Sequence, residues 1–285
     1  MALTRQRWLP FTSEISPQAV CRPDPDRIDY VFKIADCADE LLQAYHLLYH
    51  EYLNAGYIRE SPHKLLFTTH HLLPRTTVFL AKAEKTVLST ATLVHDSREF
   101  GLPMDALYTG ELSALREQNR KVLEICSLAS NGSACGRNIT KNFTRLVFLY
   151  SVFRVVDDIC IMVNPRHVAF YVKYFPFTVF GAEKFFPRVN APAVPLRVNV
   201  ESVRNFFQNS QVLFSVGQKM YRHYLSLKIG INFNVFQKMY SNDQDTEKFS
   251  NPLDAATITE LLGINETPHQ AHSSIRKQQI LEMYS

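Results

Sequence analysis

Val122-Leu123-Glu124-Ile125-Cys126-Ser127-Leu128-Ala129 is an apolar run of strand-forming residues interrupted by one carboxylate. A small-residue loop follows, Asn131-Gly132-Ser133-Ala134-Cys135-Gly136-Arg137-Asn138. Residues 139–156 then place Ile139, Phe143, Leu146, Val147, Tyr150 and Phe153 at helical spacing. Ile159-Cys160-Ile161-Met162-Val163 is short and wholly apolar, as a strand covered on both faces should be. Strand, loop, helix and strand in this order predict an α/β fold. The first turn of a helix has N–H groups without partners, so the loop–helix junction is an anion pocket, to which Arg137 adds positive charge. The plain alternative is a strand-to-helix turn with polar residues facing solvent.

Outward from this unit, the pattern predicts a strand at Ile28–Ala35 and a helix from Ala38 to about Leu53, capped by Asp36 or Asp39. Thr76–Lys82 and Thr86–His95 read as a β-hairpin, followed by a short helix ending near Asn119. Pro165 opens a helix through Tyr174, and strands are expected near Phe177–Phe186 and Ala193–Val200. The whole is expected to be a mixed central sheet flanked by helices. Residues 1–27, broken by Pro10, Pro17, Pro23 and Pro25, form an irregular lead-in to a core over 28–200. Residues 201–285 are expected to form a helical C-terminal extension with a flexible tail.

The chain has 285 residues, 46% of them hydrophobic, enough for a full core. Its 31 Lys and Arg against 27 Asp and Glu give a charge of +4, too mild to indicate a nucleic-acid partner. No two of the nine glycines stand one residue apart, and none precedes Lys-Ser or Lys-Thr, so classical dinucleotide and nucleotide-triphosphate loops are excluded. Cys21, Cys37, Cys126, Cys135 and Cys160 contain no Cys-x-x-Cys pair and read as free thiols in a reducing compartment. His70, His71 and Asp96 have a metal-like composition, but two adjacent histidines point to different sides, so no metal site is expected. No apolar run approaches the ~20 residues of a membrane span, and no signal-peptide pattern follows Met1, so a cytoplasmic location is expected.

Several stretches carry a resemblance to a known family: Thr76-Thr77-Val78-Phe79, Gly101 to Tyr108, Glu124 to Ala129, Val163-Asn164-Pro165-Arg166-His167, Phe170-Tyr171, and Pro187 to Ala193. In this order they resemble the acyltransferase core of the GNAT superfamily, in particular the N-acyl amino acid synthase (FeeM-like) group, which is related to acyl-homoserine-lactone synthases. The resemblance covers about Ile28 to Val200. It implies a sheet whose middle strands splay apart to admit the thioester arm of an acyl donor. The activity implied is N-acyl transfer, moving a long-chain acyl group from a thioester to the amine of an amino acid or similar small molecule by direct attack. The donor implied is acyl-phosphopantetheine on an acyl carrier protein, or acyl-CoA, as a co-substrate and not as a permanently bound cofactor. Two other readings stay open: an acetyl-CoA-dependent N-acetyltransferase, and a GNAT-fold binding or regulatory protein without catalysis.

The resemblance also assigns residues. Glu124 takes the general-base position, and burial in an apolar strand would raise its pKa usefully; the alternative is an outward-facing glutamate paired with Lys or Arg. Tyr171 takes the position of the acid that protonates the leaving thiolate, or else packs in a core. A backbone N–H near Leu128 or Ala129 is the implied oxyanion donor, with Ser127 also set against the acyl donor. Gly132, Gly136, Arg137 and Asn138 face the donor phosphate, and Asn164 and His167 the acyl arm or the substrate. Cys126 adjoins the site without a visible Cys-His pairing.

Two family features are missing. Ser127 stands where lactone synthases often have arginine, and Leu47-Leu48-Tyr49 replaces a Leu-Arg-Tyr pattern. Substrate-carboxylate recognition is therefore not carried over; Arg98, Arg166 and Arg188 are substitutes by charge alone. In the extension, Arg204, Lys219, Arg222 and Lys228 alternate with Phe206, Phe207, Phe214, Tyr221 and Tyr224, a pattern suited to an acidic carrier protein or to simple amphipathic packing.

Overall fold

Alternation along Thr77–Ala83 (β2) sends Phe79 and Ala81 to one face of the sheet and Val78 and Leu80 to the other, and all four are buried. A strand covered on both faces needs a layer on each side. The computed structural model supplies both, and it describes residues 30–131, 143–148, 150–151, 154, 156–206, 229–231, 251–264 and 274–284.

In chain order, β1 (Tyr30–Ile34), α1 (Ala38–Asn54), β2, β3 (Thr86–His95), α2 (Asp105–Glu117) and β4 (Val122–Ser130) form the first half. Helical backbone at 143–148 and 150–151 follows, then β5 (Asp158–Val163), α3 (Pro165–Tyr174), β6 (Thr178–Val179), β7 (Lys184–Phe186) and β8 (Ala191–Asn199). Beyond them lie α4 (Val200–Phe206), β9 (Ile229–Ile231), α5 (Ala255–Ile264) and α6 (Ser274–Glu282). Among the described residues the sheet has nine strands in the order β6-β8-β5-β4-β3-β2-β1-β9, with β7 also paired to β8. The pairs β4–β5 and β1–β9 are parallel and the others antiparallel.

One face packs Phe143, Leu146, Val147 and Tyr150 against Phe79, Leu93, Leu123 and Ile159. The other carries α1, whose Leu41, Ala44, Tyr45 and Leu48 repeat at three and four residues, and α2, which places Tyr108, Leu112 and Leu115 on Val94, Val122 and Cys160. At the lower end of the fork, the fully buried Asp158 joins β5 to its neighbours. It accepts hydrogen bonds from Arg120 Nε and, at 2.7 Å, from Arg197 Nε.

The fork itself lies between β4 and β5. Their residues pair from Val122–Asp158 to Ile125–Ile161 and no further, although β4 runs on to Ser130 and β5 to Val163. The expected splay is present. Beside it, the register between β3 and β4 shifts between Thr90 and Thr92, and Ser127 has a φ of +52°. An extra residue on one strand in the left-handed region is a β-bulge, which bends the strand away from its partner.

Several local expectations change. Cys37, without a side-chain hydrogen bond, is the N-cap of α1, whereas Asp39 lies in its first turn and accepts from Gln43 Nε2. The single strand expected over Phe177–Phe186 is two short ones, β6 and β7. The extension is not all helical: β9 adds a strand beside β1. Its end is docked as well, since Ile280 of α6 is fully buried and Tyr284 Oη donates to Leu72 O at 2.8 Å. The polar tail of the sequence hides Ile280 in the core, with Leu281 and Tyr284 partly buried beside it, enough to hold a helix in place. Lys219, Arg222, Lys228, Phe207, Phe214, Tyr221 and Tyr224 lie outside the described residues.

Candidate active site

Because side chains alternate along β4, Glu124 shares the face of Val122 and Cys126 and points toward α1 and α2. It is 1% exposed, and no Lys or Arg pairs with it among the described residues. Its Oε2 accepts the backbone N–H of Met104 at 2.8 Å. Met104 is the N-cap of α2 and is reached through a turn at Gly101 (φ +61°), where a Cβ would stand 2.6 Å from Asp105 Oδ2. Only glycine allows that turn without displacing the Asp105 carboxylate. Burial pushes the Glu124 carboxyl up to about 8; the Met104 N–H opposes this, and Asp105 and Asp96 add to it. Both aspartates are held by Arg116, at 2.6–2.8 Å.

Glu124 lines a cleft of about 200 Å³ at the mouth of the fork. Cys126, Ser127, Met162, Val163 and Asn164 supply its floor, from both sides of the splay. Tyr52 of α1, Phe67 and Ala193 of β8 form walls, together with His71 and with Arg188 of the 3-10 turn Pro187–Val189. Tyr108 Oη fixes one wall by donating to Ala193 O at 2.7 Å. Burial raises the Cys126 thiol, and Glu124 beside it raises it further, so the sulfur keeps its proton.

His71 is 1% exposed. Its Nδ1 accepts the Thr68 N–H at 3.0 Å, closing a capping box on the 3-10 turn Thr69–Leu72. With Nδ1 an acceptor and the ring held neutral by burial (its pKa falls to about 3), the proton sits on Nε2. That buried Nε2 has no hydrogen-bond partner among the described residues. A buried donor left unpaired costs about 1–3 kcal/mol, so the cleft wall holds an unused N–H.

The opposite face of the fork is different. Ile125 and Leu128 of β4, Ile161 of β5, and Phe148, Tyr171, Phe175 and Phe177 enclose an apolar cavity of about 10 Å³, room for one water at most. Tyr171 thus lies apart from the Glu124 carboxylate, in an aromatic cluster with Phe170, Phe175 and Phe177. Burial and the neighbouring Tyr52, which itself lines the cleft, keep the Tyr171 phenol protonated well above its usual range.

The remaining expected residues divide. Asn164 lines the cleft and caps α3, its Oδ1 accepting from Arg166 N–H at 3.2 Å. His167 is exposed, does not line the cleft, and receives Arg166 Nε at 3.1 Å. Ala129 is buried beyond the fork and pairs with Thr90 of β3. Gly132, Gly136, Arg137 and Asn138 lie outside the described residues. Of the three arginines, Arg98 is exposed elsewhere, Arg166 donates to Tyr57 Oη at 2.6 Å, and Arg188 alone reaches the cleft. His70 and His71 do diverge, His70 Nε2 contacting Phe100 O at 3.1 Å. Tyr52 and the Met104 N–H were not singled out as site residues from sequence, and His71 was weighed only as a metal-like neighbour of His70 and Asp96. The only signal for Met104 is its place in the quoted Gly101–Tyr108 stretch, and nothing in the sequence marks Tyr52 as a cleft residue.

The profile of the N-acyl amino acid synthase FeeM matches residues 43–199, more than half of the chain. The chain belongs to that family. It is an N-acyltransferase with a GNAT-like fold. The solved structure of FeeM, an N-acyl amino acid synthase from uncultured soil microbes, is 27% identical to it, with a TM-score of 0.55, and the match covers 65% of this chain and 97% of FeeM. The CoA-dependent acyl-homoserine lactone synthase BjaI, solved with SAM and isopentyl-CoA, is similar in fold at 11% identity and a TM-score of 0.50, over 73% of this chain and 98% of BjaI. Comparison with curated proteins gives no match. No helix among the described residues of this FeeM-family chain is long and apolar enough to cross a membrane.

Proposed function

We propose that this FeeM-family enzyme transfers an acyl group from a thioester, carried by an acyl carrier protein or CoA, to the amine of an amino acid or similar small molecule. One observation carries the reading: Glu124 is buried, and unpaired by any cation among the described residues, at the point where β4 and β5 part. The amine nitrogen attacks the thioester carbonyl, Glu124 takes the amine proton, the C–S bond breaks, and the thiolate is protonated as it leaves. A base with a pKa near the working pH suits the first proton transfer. The bulge at Ser127 leaves the β4 edge from Cys126 onward without a partner on the β5 side, where a backbone N–H stabilises the oxyanion. The protonated Tyr171 phenol is the proposed acid, acting from the far side of the fork. The protonated Cys126 supports direct attack over an acyl-enzyme.

The 10 Å³ cavity favours one second reading, transfer of a short group such as acetyl. A long chain would have to displace Phe148, Phe175 or Phe177. Purified protein incubated with acetyl to hexadecanoyl thioesters of CoA and of acyl carrier protein, plus mixed amino acids, should give N-acyl products by mass spectrometry. Products from short donors alone would select the second reading, and no product from any donor would reject both.

A further inference from the structure

Arg188 stands in the cleft wall with most of its hydrogen-bonding capacity unspent. Its guanidinium carries five N–H donors, of which one is used among the described residues, Nη2 to Phe67 O at 3.3 Å. The residue is solvent-accessible, and no carboxylate among the described residues pairs with it. The groups that face it are Tyr52 and Cys126, both uncharged at neutral pH. His71 is close enough to feel its charge, and presents the Nε2–H that has no partner among the described residues. A fork of donors and a second, buried N–H on the wall of one cleft match the two oxygens of a carboxylate. Glu124, once it has lost its proton, serves the same cleft with the opposite sign. An amine would approach the base, and an anionic group would be drawn to the arginine.

We propose that Arg188, with His71 Nε2–H as second donor, holds the carboxylate of the acceptor and thereby makes the enzyme select amino acids over amines that lack one. The assignment rests on the reading of the cleft as the acceptor site served by Glu124. Leucine is a suitable probe because Leu48, Phe67 and Phe186 give the cleft apolar walls; 3-methylbutylamine is the same molecule without the carboxylate.

The test measures kcat/KM of the full chain for both amines with one acyl thioester, in wild type, Arg188→Gln, Arg188→Lys and His71→Gln. Charge-assisted hydrogen bonds of this kind correspond to roughly ten- to hundredfold in affinity. Arg188→Gln should raise the KM for leucine by about that factor and should lower the amine's kcat/KM far less, so that the preference collapses. Arg188→Lys should restore part of it, and His71→Gln should give a smaller loss in leucine KM than Arg188→Gln. An unchanged leucine-to-amine ratio in Arg188→Gln would overturn the assignment. Calorimetry with N-dodecanoyl-leucine and N-dodecanoyl-3-methylbutylamine reads the anchor without turnover. If no thioester is consumed with any amine, the Glu124 reading fails. Tighter binding of the carboxylate ligand, lost in Arg188→Gln, would then still support the anchor, and equal binding of the two ligands by wild type would remove it.

Discussion

Glu124 and Met104 are joined by a 2.8 Å hydrogen bond from the backbone of one helix start to the carboxylate of a central strand. The donor belongs to a peptide group, so it is fixed in place and cannot itself take or give a proton at neutral pH. The carboxylate is therefore aimed, with its second oxygen left for the cleft. Glu124→Gln keeps the volume and can still accept the Met104 N–H, but it is not a base. Acyl transfer should fall by about 10²–10⁴-fold, with an unchanged circular-dichroism spectrum. A variant as active as wild type would remove Glu124 from the chemistry.

Burial holds the Glu124 proton up to about 8, and the base form is needed, so kcat/KM should climb with pH through about 8 and level off above it. The amine's own deprotonation also favours high pH; the Glu124→Gln profile, which retains only that contribution, separates the two. The same group affects folding. An unfolded glutamate gives up its proton near 4.5, so between that pH and about 8 the folded chain binds the extra proton. Stability contributed by this group is present at low pH and declines as pH rises through the window. Urea midpoints at pH 5 and pH 9 should differ less for Glu124→Gln than for wild type.

Asp158 is fully buried beneath the fork and takes both Arg120 and Arg197. Removing a buried partner leaves the rest of the cluster uncompensated, at about 3–5 kcal/mol. The two arginines are partly exposed, 20% and 28% at the side chain, and can turn to water, so Asp158→Ala should cost about 3 kcal/mol, the low end, in chemical denaturation.

Phe175 is 4% exposed and closes the apolar cavity beyond the fork. Phe175→Leu should open that space and move the donor preference toward longer acyl chains, read as kcat/KM across a chain-length series. An unshifted preference would place the acyl chain elsewhere.

Ser127 holds a φ of +52° within β4, a region costly for a β-branched side chain. Ser127→Val should therefore destabilise the fold, whereas Ser127→Gly should be tolerated. Thermal unfolding of the two variants compares them directly.

Much of this was legible from residues alone, for identifiable reasons. The β-branched, apolar runs of β2 and β3 and the four-residue spacing of Leu41, Tyr45 and Tyr49 are local signals that burial enforces. Glu124 stood out because a lone carboxylate in an apolar strand has few bland explanations. His71 entered only as a metal-like histidine and Arg188 only as one of three arginines chosen by charge, since their place at one cleft comes from a fold that brings together positions over a hundred residues apart. Strand β9 is three residues long and contains Gly230, too short for any period to register, and the aromatic helix α3 gave no sign of which side of the fork Tyr171 would occupy.

The turn that carries His71 is fastened from the far end of the chain. Asn251 Nδ2 donates to His71 O at 2.8 Å and to Leu73 O at 3.2 Å, across a separation of 180 residues in the first case, and Tyr284 holds Leu72. Residues 251–284 fall beyond the stretch that marks the family, 43–199, yet they brace a wall of its cleft. A protease nick or an early stop there would loosen the wall of the cleft that carries His71, and would strip the sheet face that Ile258, Leu261 and Ile280 cover.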